Sequence, residues 1–170
     1  MTTQPKYYSV AETAKIVRKE LASAFASIKF SVKSKSYSGG ASISISWTDG
    51  PTDAQVSRVT NQFESATFDG MIDLKSHHDS EYNGEAVSWG ADWVNTNRRN
   101  TAEFLQKVAD KTAKKWGLPV PVIAVDKWGY MQPCGDAIQS GGPRAYSLQD
   151  LIYQDAKKTF FFNGMRCMEK

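Results

Sequence analysis

The spacing of apolar residues changes period along this chain, and each change marks an element. Val10, Ala14, Val17, Leu21 and Phe25 recur at steps of three and four. That is one stripe of a helix with 3.6 residues per turn. Ser9 and Glu12 stand at its start in the S-x-x-E arrangement, where hydroxyl and carboxylate each satisfy an orphan amide. From residue 28 the period drops to two. Ile28, Phe30 and Val32 alternate with Lys29, Ser31 and Lys33, and Lys35 follows; Ile43, Ile45 and Trp47 alternate with Ser42, Ser44 and Ser46. Successive strand side chains point to opposite faces, so the pattern predicts a hairpin with a greasy inner face and an outer face of lysines and serines. Its turn falls near Ser38-Gly39-Gly40, where glycine tolerates positive φ.

Thr48-Asp49-Gly50-Pro51 ends the second arm. Thr52 with Gln55 repeats the capping pattern, and Val56, Val59 and Phe63 form the inward stripe of a second helix. A strand or loop is expected around residues 68–74, a polar surface loop over 75–84, and one strand or a hairpin within 85–96. Trp89 and Trp93, four apart, are expected to share a face there. Asn100, with Glu103 three residues on, is the expected cap of a third helix that stops at Gly117. Residues 119–125, PVPVIAV, read as a short buried strand, and 129–143 as a long Gly/Pro-rich loop. Ser147 with Asp150 caps a fourth helix, with Tyr146 stapled onto Leu151. The expected fold is α+β: an antiparallel sheet with helices packed on it, in the order α-β-β-α followed by further strands and two helices. Residues 1–117 are expected to form the domain, with 118–170 as a C-terminal extension packed on it.

At 170 residues the chain is long enough to bury a core without staples. Its formal net charge of +3 is mild, but unevenly placed. Lys6, Lys15, Arg18, Lys19, Lys29, Lys33 and Lys35 face only Glu12 and Glu20 in the first 35 residues, so the remainder is net acidic. The two cysteines, Cys134 and Cys167, form no C-x-x-C pair and imply no disulfide framework. The opening MTTQPKYY lacks the apolar core of a signal peptide, and no run approaches a membrane span of about 18 apolar residues. A cytoplasmic protein is expected.

The outer hairpin face offers ammonium groups and hydroxyls with no acid among them, a composition suited to a phosphate backbone or an acidic partner. Any solvated sheet face can share it. Arg98-Arg99, placed just before helix three, adds two guanidiniums. The expected nucleic-acid or acidic-partner set is therefore Lys15, Lys19, Lys29, Lys33, Lys35, Arg98 and Arg99. Tyr37, Trp128 and Tyr130 lie on expected loops and are the aromatics available to a partner. His77, His78 and Asp79, with Asp73 and Glu81 nearby, have metal-ligand chemistry, but adjacent histidines on a strand point opposite ways and no H-x-H or H-x-x-x-H is present. No Walker sequence or G-x-G-x-x-G appears, and Gly141-Gly142-Pro143-Arg144 is a weak anion motif. No cofactor is expected, and the residues favour binding over catalysis.

Several segments together resemble a known family. They are Y-S-V-A-E-T-A-K-I-V-R-K-E-L, K-F-S-V-K-S-K-S-Y-S-G-G, S-W-T-D-G-P-T, F-D-G-M-I-D-L-K and D-W-V-N-T-N-R-R-N, all within about residues 8–105. The stretch is similar to the twenty-ninth of the domains associated with the large polyvalent proteins of phages and conjugative elements. The resemblance implies a protein of mobile DNA, active in a host cell's cytoplasm, and carries no catalytic residues with it. Together with the one-sided charge, it leads to the expectation of a non-catalytic binding protein that contacts nucleic acid or a nucleoprotein. The alternatives are a counter-defence protein, anti-CRISPR or anti-restriction, that binds a host defence protein, and a small metal-dependent hydrolase.

Overall fold

The computed structural model describes residues 4–69, 71, 74–127, 129–134 and 148–159. It has the expected α+β character, with helices against mixed and antiparallel sheets. Its contacts divide into two compact units, Met1–Trp47 with Asp53–Arg98, and Thr48–Thr52 with Arg99–Lys170.

In the first unit a short strand β1 (Lys6–Tyr8) leads into helix α1 (Val10–Ala24). The Ser9 amide donates to Glu12 Oε2 at 2.9 Å and the Glu12 amide to Ser9 Oγ at 3.4 Å, which completes the capping box. The α1 stripe of Ala14, Val17 and Leu21 is buried. It packs against the hairpin of β2 (Ser31–Tyr37) and β3 (Gly40–Thr48), whose inward residues Val32, Ile43, Ile45 and Trp47 complete one core cluster. Arg18 also donates to the Val32 carbonyl at 2.7 Å. Helix α2 (Asp53–Thr60) and a 3-10 turn (Asn61–Phe63) bring Val56 and Phe63 into the same core.

The polar stretch expected as a surface loop carries strands instead. β4 (Ala66–Asp69) pairs with β5 (Leu74–His77), and β6 (Ser80–Tyr82) pairs with β7 (Glu85–Trp89), which also takes β1 in parallel. Backbone pairing satisfies these residues although their side chains lack alternating hydrophobicity. Trp89 and Trp93 do not share a face. Residues 90–92 divide them between β7 and β8 (Trp93–Arg99), and Trp89 is buried among Tyr8, Phe63 and Tyr82. β8 lies beside β3 in a sheet ordered β2-β3-β8. The Asp92 amide donates to Ala41 at one end and the Asp49 amide to Arg99 at the other, so β3 and β8 run parallel.

The second unit is built on helix α3 (Ala102–Trp116). Its cap is Thr101, not Asn100: the Thr101 hydroxyl accepts the Phe104 amide at 3.2 Å, and Asp49 receives both the amide and the hydroxyl of Thr101 at 2.8 Å. Asn100 Oδ1 is buried without a hydrogen-bond partner. Gly117 ends α3 in the left-handed region at φ 65°, as expected. Phe104, Leu105, Val108 and Ala109 pack against Leu148, Ile152 and Ala156 of α4 (Leu148–Lys158). The expected cap and staple of α4, Ser147 and Tyr146, lie outside the described residues, as do Asp73 and residues 141–144.

The segment expected as a buried strand is β9 (Val122–Val125), and within the expected loop lies its partner β10 (Met131–Cys134). β9 is not buried: Val122 and Val125 are exposed, because a two-stranded sheet presents only Ile123 and Met131 to the cluster on α3 and α4. Both outer edges are blunted. Pro133 of β10 has no amide to donate. On β9 the Gln106 side chain accepts the Ile123 amide at 2.9 Å and donates to the Pro121 carbonyl at 3.0 Å, as a neighbouring strand would. Gln106→Met keeps most of the volume and removes both bonds. It is expected to cost about 1–3 kcal/mol in urea denaturation, the penalty for orphaned polar groups; an unchanged midpoint would show that water replaces the amide.

Candidate nucleic-acid interface

The hairpin register decides what the β2-β3-β8 sheet shows to solvent. Ser31 pairs with Ser46, Lys33 with Ser44, Lys35 with Ser42 and Tyr37 with Gly40, while Val32 pairs with Ile45. A two-residue turn of Ser38-Gly39, with Gly39 at φ 88°, sets that register. One face therefore gathers Val32, Ile43 and Ile45 over α1, and the other gathers Ser31, Lys33, Lys35, Ser42, Ser44 and Ser46. β8 continues the pattern. Val94 packs on the core, while Asn95, Asn97 and Arg99 alternate with it and are exposed. The same alternation puts Trp93 on the outer face, half-buried. None of these outward residues is acidic.

At the turn end of the face sits a buried carboxylate. Asp92, only 5% exposed, accepts the Ala41 amide at 2.8 Å and the Lys75 ammonium at 2.8 Å. Lys75 also donates to the Gly39 carbonyl at 3.3 Å, and His77 Nδ1 lies 3.8 Å from the other Asp92 oxygen. Burial by itself pushes the Asp92 carboxyl up, but the Lys75 ammonium and the Ala41 amide outweigh it and hold the group below the ordinary 3.8. Gly40 is required here. A Cβ on it would overlap Asp92 Oδ2 and lie 3.1 Å from the Tyr37 ring.

The structure brings only part of the expected set together. Lys33 and Lys35 share the outer face; Lys29 is exposed but precedes β2. Lys15 and Lys19 are exposed on α1, which packs on the opposite side of the sheet from Lys33 and Lys35. Arg98 and Arg99 lie in β8 itself, not in a turn before α3. Arg98 alternates with Arg99 and is half-buried, and Arg99 falls in the second unit. Tyr37 is 45% exposed at the end of β2. Tyr130 is 72% exposed in the second unit, and Trp128 lies outside the described residues. His77 and His78 are exposed on and after β5, and His78 Nδ1 is 3.4 Å from the Thr67 hydroxyl. Asp79 is exposed beside them, and among the described residues no group of three or more His, Cys, Asp or Glu is placed to hold a metal. Sequence reasoning put Trp93 on a strand, sharing a face with Trp89, and missed Asn95 and Asn97 as outward residues of that strand. The signal was the period-two spacing of Trp93, Asn95, Asn97 and Arg99, obscured by ending the strand at residue 96.

The family model for large polyvalent protein associated domain 29 matches residues 8–101. The chain belongs to this family. The match spans the capping box of α1, the hairpin and all of β8, and so the whole of the outer sheet face. Membership in large polyvalent protein associated domain 29 ties the chain to the polyvalent proteins of phages and other mobile elements. No curated protein and no solved structure matches the chain. Among the described residues no helix is long and apolar enough to cross a membrane.

Two outcomes follow from the Asp92 cluster. Gly40→Ala is expected to lose about 1–3 kcal/mol, because the new methyl group drives the carboxylate off its partners; urea denaturation reads the loss. The native Asp92 carboxyl is depressed, so its contribution is fully present above the ordinary Asp value of 3.8 and is lost as pH falls through the native value. Lys75→Met is expected to lower stability at neutral pH and flatten the acid limb of a stability–pH curve. An acid limb identical to that of the unaltered protein would remove the pair as its cause.

Proposed function

We propose that this chain is a non-catalytic binding protein of a phage or mobile element, and that it contacts nucleic acid or a nucleoprotein through the outer face of the β2-β3-β8 sheet. The supporting observation is that face itself: exposed Lys33 and Lys35 beside exposed Ser44 and half-buried Ser42, with no acid among the outward strand residues. Ammonium groups neutralise phosphates and release counterions, while serine hydroxyls hydrogen-bond phosphate oxygens, neither reading sequence. Family membership supports a setting on mobile DNA. Lys29, exposed just ahead of β2, can extend the cationic row.

A protein partner is the second reading. In the second unit Val120, Val122, Val125 and Tyr130 are all exposed around the β9–β10 hairpin, more apolar surface than a short hairpin needs. A host defence protein bound there would make the chain a counter-defence factor, anti-CRISPR or anti-restriction.

The combined substitution Lys29→Glu, Lys33→Glu and Lys35→Glu is expected to abolish binding to labelled oligonucleotides in fluorescence anisotropy at low salt, with an unchanged circular dichroism spectrum. Unchanged affinity would refute the sheet-face reading. A stoichiometric host protein that survives nuclease treatment in a pull-down would favour the second reading instead.

A further inference from the structure

We infer that the ligand of this face is an unpaired nucleic-acid strand, laid along the sheet and stacked at the Tyr37–Trp93 end. The inference rests on the nucleic-acid reading above and adds to it the form of the nucleic acid and the residues that select it.

The shape of the face comes first. β3 is the central strand, yet Ser44 is exposed and Ser42 and Ser46 are half-buried. Small side chains in the middle of a sheet show solvent only where no layer covers them. The serines form a low floor, with successive outward residues about 7 Å apart. Longer side chains stand on both sides. Lys33 and Lys35 rise from β2, each opposite a serine of β3, and Asn95 and Asn97 rise from β8. The result is a shallow trough along the strands, cationic on one wall and amide-bearing on the other.

The aromatic residues cluster at one end. Tyr37 pairs with Gly40, and its ring lies over that glycine on the outer face. Trp93 enters the same end of the sheet, because the preceding Asp92 bonds to Ala41. Two aromatic side chains thus stand where the trough begins. Among the described residues two carboxylates lie near this end, and both are engaged: Asp92 is paired with Lys75, and Glu64 accepts the Val94 amide at 2.8 Å.

A duplex does not fit this arrangement. Its major groove, about 12 Å wide, is read by a helix or a two-stranded ribbon, and here α1 covers the opposite side of the sheet. Two lysines also neutralise few phosphates, so charge alone holds a duplex weakly. An unpaired strand offers what the face can use. Its bases stack on aromatic rings, and their unpaired edges meet the donors and acceptors of Asn95 and Asn97. The salt dependence should then be shallow, with log K falling by about 1.4 per decade of salt for two phosphates.

The test measures fluorescence anisotropy with a 12-nucleotide DNA probe as single strand and as duplex, the same RNA sequence, and polyglutamate as an acidic competitor. The full chain is compared with Tyr37→Ala, Trp93→Leu, Asn95→Ala with Asn97→Ala, and Lys33→Glu with Lys35→Glu. Tyr37 is exposed, so its variant keeps the test decisive even where Trp93→Leu perturbs folding. The expected result is single strand bound at least about tenfold tighter than duplex, and weakened about tenfold by Tyr37→Ala. Equal or tighter binding of duplex, with Tyr37→Ala silent and the lysine reversal abolishing it, overturns the single-strand inference and leaves the sheet-face reading standing. Binding of no nucleic acid, displacement of the probe by stoichiometric polyglutamate, or indifference to the lysine reversal overturns both.

Discussion

The Asp92 carboxylate is the constraint around which the first unit is organised. A buried charge without partners costs several kcal/mol, so the chain must supply them. Ala41 at the start of β3 gives an amide, and Lys75 on β5 gives an ammonium that also holds the Gly39 carbonyl in the hairpin turn. In return the Asp92 amide donates to Ala41, which fixes where β8 begins against β3. One side chain thus joins three segments distant in sequence: the hairpin turn, the β4–β5 pair and the residue that leads into β8. Gly40 is part of the same constraint, because no side chain fits between the carboxylate and Tyr37.

That anchoring decides which side chains meet on the outer face. A strand slipped by one residue exchanges its two faces. Held as it is, β8 adds its asparagines to the lysine and serine rows, and its valine to the core. The core provides the opposing requirement. Val17 and Leu21 of α1 are fully buried against Val32, Ile43 and Ile45, so the greasy face is occupied and the polar one is left open. Sheet polarity and helix placement are therefore two consequences of one burial pattern.

The second unit solves a different problem. A two-stranded sheet has two edges and cannot bury both faces. Proline closes one edge and a glutamine amide closes the other, while α3 and α4 cover the inner face. Val122 and Val125 remain exposed all the same.

The strong local patterns were legible in the chain: the Ser9–Glu12 box and stripe of α1, the alternation of β2 and β3, and the Gly117 stop of α3. Each is set by contacts within a few residues or by a clear period, so local physics suffices. The β5 and β6 strands were not legible, because polar residues pair through their backbones and leave no hydrophobic signature. Thr101 displaced Asn100 as a cap because Asp49, far away in sequence, braces its hydroxyl. Of the candidate site, Lys33 and Lys35 were visible from period two alone, whereas Tyr37, expected on a loop, is the last residue of β2. The separation of Lys33 and Lys35 from Lys15 and Lys19 was not visible, since it depends on which side of the sheet α1 covers. Sequence by itself determined which faces are apolar and which are cationic. Only the tertiary structure decided which faces meet, because a buried carboxylate and a shared core choose partners by distance in space and not along the chain.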